Sequence, residues 1–146
     1  MLKKYQANLI FGEIQPYEPK NQEYMCQEQQ DHFTNILKVW RKQLVENSAD
    51  TLNYINNEVT NLADQNDRAT LEEEFSIEFR TRDRERKLIQ KIDKSIFEIE
   101  KGSLSNYGYC KSCDAEIGIA RLEARPTADL CIDCKELDEI REKHNN

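Results

Sequence analysis

Thr60-Asn61-Leu62-Ala63-Asp64-Gln65-Asn66-Asp67 is the stretch that decides the fold. It is rich in Asn, Asp and Thr, whose side chains hydrogen-bond nearby backbone groups and favour turns, and it separates two segments of helical periodicity. Upstream, Phe33, Ile36, Leu37, Trp40 and Leu44, then Leu52, Ile55, Val59 and Leu62, recur at spacings of three and four. Downstream, Phe75, Phe79, Ile89, Ile92, Ile96 and Ile99 form a second stripe, with Arg82 and Arg86 in its middle. Two amphipathic helices joined by a short turn pair as an antiparallel hairpin, spanning 23–101 with its tip at about 60–69. At 1.5 Å per residue the second helix, from Asp67 to about Lys101, extends roughly 50 Å. Gly102-Ser103 ends it, the glycine supplying a left-handed cap.

Composition agrees with long helices and little loop. Of 146 residues, 38% are hydrophobic and 34% charged, too polar for a large compact core. Four glycines and three prolines leave few places to turn, against the roughly 17 that average usage gives. The formal net charge of −7 disfavours a protein whose main task is neutralising nucleic-acid phosphates, and points to a protein partner. There is no run of roughly 20 apolar residues to span a membrane, and Met1 to Pro19 lacks the continuous apolar stretch of a secretion signal. A cytoplasmic protein is expected. Residues 1–22 carry Pro16 and Pro19 and no sustained period, so they are expected to be a flexible or loosely docked extension.

Residues 102–146 hold the clearest chemistry. Cys110 and Cys113, then Cys131 and Cys134, form two C-x2-C pairs separated by seventeen residues, a spacing that marks a four-thiolate zinc site. Two residues between cysteines let both sulfurs converge from one tight turn, and two such turns complete a tetrahedron. The alternative, free or disulfide-bonded cysteines, is disfavoured by a reducing compartment and by the regular spacing. With all four positions filled by protein, no site remains for a catalytic water, so the zinc is expected to be structural. A short strand pair around Glu116-Ile117-Gly118-Ile119 and a helix over Ile132–His144 are predicted, and Cys26 stands apart as an ordinary thiol.

Three segments carry a family resemblance: Asp64-Gln65-Asn66-Asp67-Arg68-Ala69, the run Arg80-Thr81-Arg82-Asp83-Arg84-Glu85-Arg86-Lys87-Leu88-Ile89, and Arg121-Leu122-Glu123-Ala124-Arg125-Pro126-Thr127-Ala128-Asp129-Leu130 with its flanking cysteines. Together, from about Glu23 to Lys143, the chain resembles the DksA/TraR family of zinc-finger transcription regulators. The resemblance implies a mainly α protein: a long antiparallel two-helix coiled coil joined to a small four-cysteine zinc finger and a C-terminal helix. It further implies a monomer without sequence-specific DNA binding. Its coiled coil would enter the secondary channel of RNA polymerase and alter open-complex stability together with the alarmone ppGpp. Ribosomal RNA promoters would be inhibited and some amino-acid biosynthesis promoters activated. This sequence departs from the family in a longer linker over 102–106 and in Asp114, which follows the second cysteine where zinc knuckles often place glycine.

Asp64 and Asp67 fall at the hairpin turn. From the residues alone, an aspartate there caps the second helix, worth about 1 kcal/mol; the resemblance instead maps Asp64, Asp67 and Ala69 onto a functional tip. From Arg80 to Lys94, seven bases against three acids give a local charge of +4. Arg84, Leu88 and Lys91 share one face at i, i+4 and i+7, off the seam, so Leu88 is expected to be exposed. Spacing alone favours a solvated charged face, whereas the resemblance assigns Lys91, Arg125 and Lys135 to an alarmone site with Arg84 and Leu88 beside it. A nucleic-acid-binding zinc module and a coiled-coil adaptor are the competing readings. An enzyme is disfavoured, since the two histidines, His32 and His144, share no motif with a nucleophile.

Overall fold

A computed structural model describes residues 14–15, 17–18, 21–59, 65–102 and 106–145, with side chains at 49–59 and 65–69 left undescribed. Among the described residues four helices follow in order: α1 Gln27–Val59, α2 Gln65–Glu100, α3 Ile119–Ala124 and α4 Ile132–His144. Among the described residues there is no strand, only one antiparallel bridge between Tyr109 and Glu116. The expected strand pair is thus reduced to that bridge, because Ile119 already opens α3. No described helix is long and apolar enough to cross a membrane.

The helix starts differ from the expected ones for local reasons. α1 begins at Gln27, not at residue 23 where the hairpin is expected to start, because Met25 takes φ +53, outside helical space. The side chain of buried Gln29 then reaches back to accept from the Met25 amide at 2.7 Å, pairing a backbone donor just ahead of the helix. α2 begins at Gln65, so Gln65–Asp67 belong to the helix and not to the turn. At the other end Gly102 has φ +62, the left-handed conformation expected of the cap.

Along α2 half-buried and buried residues recur at Leu71, Phe75, Glu78, Arg82, Glu85, Ile89, Ile92, Ile96 and Ile99, with Leu88, Ser95 and Glu98 beside them, so the seam steps alternately by four and three. That is the 3.5-residue repeat of a coiled coil. It corrects two expectations. Phe79 lies outside the seam, 69% exposed, and Arg86 is exposed too, because Glu78 and Glu85 occupy the positions facing α1. Leu88 is half-buried and packs against the core, since it lies between Glu85 and Ile92 on the seam's edge where Trp40 and Leu44 widen the apolar surface.

Among the described residues, the buried core sits at one end. Phe33, Ile36 and Leu37 of α1 and Ile92 and Ile99 of α2 join Tyr107, Cys110, Ile117 and Leu122 in one core. From Leu71 to Leu88 no residue of α2 is fully buried. The base of the hairpin and the finger therefore form one packed body from which the rest of the hairpin projects. Arg41 of α1 and Asp93 of α2 bridge the rod's surface at 2.6 Å, an exposed pair worth little on its own.

Candidate metal centre and basic cleft

The chain brings Cys110, Cys113, Cys131 and Cys134 together, with all four sulfurs within 4.8 Å of one another. Cys113 Sγ and Cys131 Sγ are 3.7 Å apart. A tetrahedron of sulfurs at the usual 2.3 Å from zinc has edges of about 3.8 Å. The donor set and its spacing thus fit Zn²⁺, and a disulfide at that separation is excluded. Cys26 lies elsewhere, its thiol donating to Gln22 Oε1 at 3.6 Å.

Each pair is shaped by its own backbone. In the first turn, the Cys110 amide donates to Ala115 O and the Asp114 amide to Cys110 O, both at 2.8 Å. Asp114 adopts φ +56 to close it, which accounts for the position usually given to glycine. In the second turn Cys131 is the N-cap of α4, its sulfur accepting from the Cys134 amide at 3.5 Å. The positive end of that helix favours thiolate at the site. The Lys111 amide donates to Asp129 O at 2.9 Å and ties one turn to the other.

The thiol acidities show what such a cluster requires. Burial pushes Cys110 up, but backbone amides at Cys131, Ser112 and Cys113 outweigh it and bring the thiol down to about 6. Hydrogen bonding with the Cys131 sulfur, and with Cys113 and Cys110, pushes Cys134 up to about 12. One sulfur ionises readily and the next resists. A divalent cation reverses that resistance, since a coordinating thiol is deprotonated outright.

A clamp that the sequence reading missed holds the finger to the hairpin. The Tyr24 hydroxyl contacts the carbonyls of both Gly108 and Ile117, reaching Gly108 O at 2.6 Å. Gly108, at φ +87, lets Met25 and Tyr24 approach so closely that a Cβ would stand 2.7 Å from Met25 Cε. Tyr107 donates to Pro126 O at 2.7 Å and lays its ring 6.0 Å from that of Phe33. Glu123 of α3 meets His32 Nε2 at 2.6 Å and accepts from the Tyr17 amide at 2.8 Å. The only advance signal was Gly108, one of four glycines in the chain.

Beside the clamp, a cleft of about 270 Å³ opens between α2 and the finger, lined by Lys91, Lys94 and Glu98 on one side and Lys111, Thr127 and Asp129 on the other. Lys111 bonds Asp129 at 2.9 Å. Burial pushes the Asp129 carboxyl up, but the Lys111 bond and charge, helped by Lys91, hold it below its ordinary range. Of the residues implied for the alarmone, Lys91 lines this cleft, while Arg84, Leu88, Arg125 and Lys135 do not. Arg125 is the exposed C-cap of α3, and Lys135 pairs with Glu139 at 3.8 Å. Asp64 lies outside the described residues, and Asp67 and Ala69 lie in the opening turns of α2 with side chains also outside them.

Fold and site define a class: a helical hairpin whose base is fused to a closed four-cysteine zinc finger. Residues 29–99 match the family described as DnaK suppressor protein DksA, N-terminal domain, and residues 105–139 the prokaryotic dksA/traR C4-type zinc finger. The chain belongs to the DksA family. It is 54% identical over 131 residues to a protein of Haemophilus influenzae named RNA polymerase-binding transcription factor DksA, covering 89% of this chain and 88% of the relative. The Escherichia coli protein of the same name is 53% identical over 136 residues, covering 92% and 88%. Among solved structures, transcription factor DksA2 from Pseudomonas aeruginosa superposes with a TM-score of 0.72 at 36% identity, covering 83% of this chain and 91% of that one.

Proposed function

We propose that this protein binds RNA polymerase directly and regulates transcription initiation without catalysing a reaction of its own. The observation that carries the reading is the hairpin itself: two paired helices project beyond the packed base, and α1 ends at Val59 and α2 begins at Gln65 at the end of the rod away from it. The relatives' shared name supplies the partner. On this reading one copy inserts the tip through the secondary channel, and Asp64, Asp67 and Ala69 act at the polymerase active site. Carboxylates suit that place, since Mg²⁺ is commonly held by one or two of them and keeps its waters. ppGpp is the effector, bound at the interface with polymerase, with Lys91, Arg125 and Lys135 toward its phosphates and Arg84 and Leu88 beside it. The protein works in the cytoplasm, inhibits ribosomal RNA promoters and activates some amino-acid biosynthesis promoters.

Cys110, Cys113, Cys131 and Cys134 hold one zinc ion, which supplies folding energy to the finger and no open coordination position. Pull-down with core RNA polymerase, with and without ppGpp, tests the partner; failure to capture core enzyme removes the reading. Asn caps a helix about as well as Asp, so Asp67→Asn separates capping from tip action. The expected variant melts like the wild type and no longer inhibits transcription; unaltered inhibition overturns the role of the tip. Lys91→Ala is expected to keep basal activity and lose the ppGpp enhancement.

A further inference from the structure

Midway along the hairpin the usual order of apolar and charged residues is reversed. Between Phe75 and Ile89 the positions of α2 turned toward α1 are Glu78, Arg82 and Glu85. The Arg82 side chain is only 14% exposed, pairs with Glu78 at 3.4 Å and reaches Ser48 O at 3.5 Å. Meanwhile Ile77 and Phe79 stand 60% and 69% exposed. Successive helical residues are about 100° apart. With Glu78 turned toward α1, Ile77 and Phe79 therefore lie one on each broad side of the hairpin, at the same height.

The chain had an alternative. Phe75, Phe79, Arg82, Arg86 and Ile89 make an equally regular heptad stripe. A modest rotation of this stretch exchanges Glu78 for Phe79 in the seam. For a hairpin standing alone, half-burying carboxylates while leaving a phenylalanine in water is unfavourable on both counts. The arrangement makes sense when a second surface covers the outward side chains.

Position and surroundings describe that surface. Ile77 and Phe79 are twelve and fourteen residues beyond Gln65, about 18 and 21 Å along α2 from its start. The Ile77 side continues toward the base as Arg84, Leu88 and Lys91, and Arg86 follows Phe79 at i+7 on the other. Each apolar contact is backed by a cation two turns nearer the base. A complementary partner has apolar walls on both sides of the rod, with acidic groups further out.

We propose that Ile77 and Phe79 are a pair of wall contacts that grip RNA polymerase on the two broad sides of the inserted hairpin. They set affinity, while the tip sets the effect on initiation. This rests on the polymerase reading above. The test measures binding of the full-length, zinc-loaded protein to core RNA polymerase by biolayer interferometry, alongside thermal melting and transcription inhibition. Ile77→Ser and Phe79→Ser are each expected to raise Kd about tenfold, and the double variant about a hundredfold. Phe79→Leu, still apolar, stays within about twofold. Melting is unmoved in all four, and the Ser variants still inhibit fully at saturating concentration. Wild-type affinity in both Ser variants overturns the proposal, as does a loss of affinity matched by a loss of folded protein. Failure of the wild type to bind core enzyme instead brings down the polymerase reading beneath it.

Discussion

Replacing Gly108 by alanine puts a methyl group where the clamp has no room for one. Its Cβ would lie 2.7 Å from Met25 Cε, 2.9 Å from Tyr24 Oη and 3.1 Å from Met25 Cγ, on a backbone held at φ +87. Three costs add. An L-residue in the left-handed region costs roughly 1–2 kcal/mol, and displacing Met25, whose methyl end is flexible, roughly 1 kcal/mol at the low end of overpacking. Moving Tyr24 also loses a net hydrogen bond of about 1 kcal/mol. The sum is about 3–4 kcal/mol, or roughly 12 °C in Tm for a chain of this length. Two comparisons isolate the parts. Gly102 has φ +62 with nothing within 4 Å of its Cβ, so Gly102→Ala incurs only the backbone cost of about 1–2 kcal/mol. Tyr24→Phe removes the hydroxyl while Gly108 O keeps the Ile117 amide at 2.7 Å, so it costs about 1 kcal/mol. Guanidinium denaturation of the zinc-loaded protein, followed through Trp40 fluorescence, gives all three values. If Gly108→Ala costs no more than Gly102→Ala, the close approach of Tyr24 and Met25 does not hold the finger.

Three further outcomes follow from the same geometry. Asp114→Gly relieves the left-handed φ of +56 and should stabilise the zinc-loaded finger by about 1 kcal/mol, read as a higher denaturation midpoint. Cys110→Ser should abolish stoichiometric zinc, measured by metal analysis, and a chelator acting on the wild type should reduce helical circular dichroism by more than α3 and α4 contribute. The reason is that Cys110, Ile117 and Leu122 share one core with Phe33 and Ile99, so a helical loss confined to the finger contradicts it. Replacing the seam pair together, Glu78→Leu with Arg82→Leu, should raise stability by roughly 1–2 kcal/mol, because apolar packing usually matches or exceeds a half-buried ion pair. A lower Tm in that double variant shows instead that the pair contributes net stability.

The parts of this fold legible in advance are those that repeat or that bind in fixed geometry. The C-x2-C spacing anticipates the sulfur cluster because two residues are what one tight turn needs, and α4 runs from Ile132 to His144 as expected because a metal turn opens it. The hairpin is legible from its period, but its rotation is not. Phe75, Arg82 and Ile89 belong to two heptad stripes, and hydrophobicity selects Phe79 where the structure selects Glu78. α3 escapes because six residues are too few to show a period. The clamp escapes for another reason: Tyr24 and Gly108 are 84 residues apart, and a tyrosine hydroxyl meeting a backbone carbonyl leaves no spacing to read. The cleft is half legible, since Lys91 is on the expected face while Lys111 and Asp129 enter only when the finger docks.

That docking assigns different work to the two ends of the rod. Where Phe33, Ile36, Leu37, Ile92 and Ile99 are buried, aromatic contacts and the Tyr24 hydroxyl bind finger to hairpin, and a loss at any one of them is felt by the rest. From Leu88 toward Leu71 no α2 residue is fully buried, and the seam passes through Glu85, Arg82 and Glu78. Local opening free energy follows buried apolar contact, so this half must open more readily than the base. On the proposed reading, in which the rod enters a narrow site of the polymerase, that gradient is useful: the base fixes its direction and the weaker half adapts to the walls. Amide exchange should therefore be fastest on the tip side of Arg82 in the free protein and slow there most strongly on binding polymerase, with residues near Ile77 and Phe79 gaining the greatest protection. Uniform protection along α2 in the free protein contradicts the gradient.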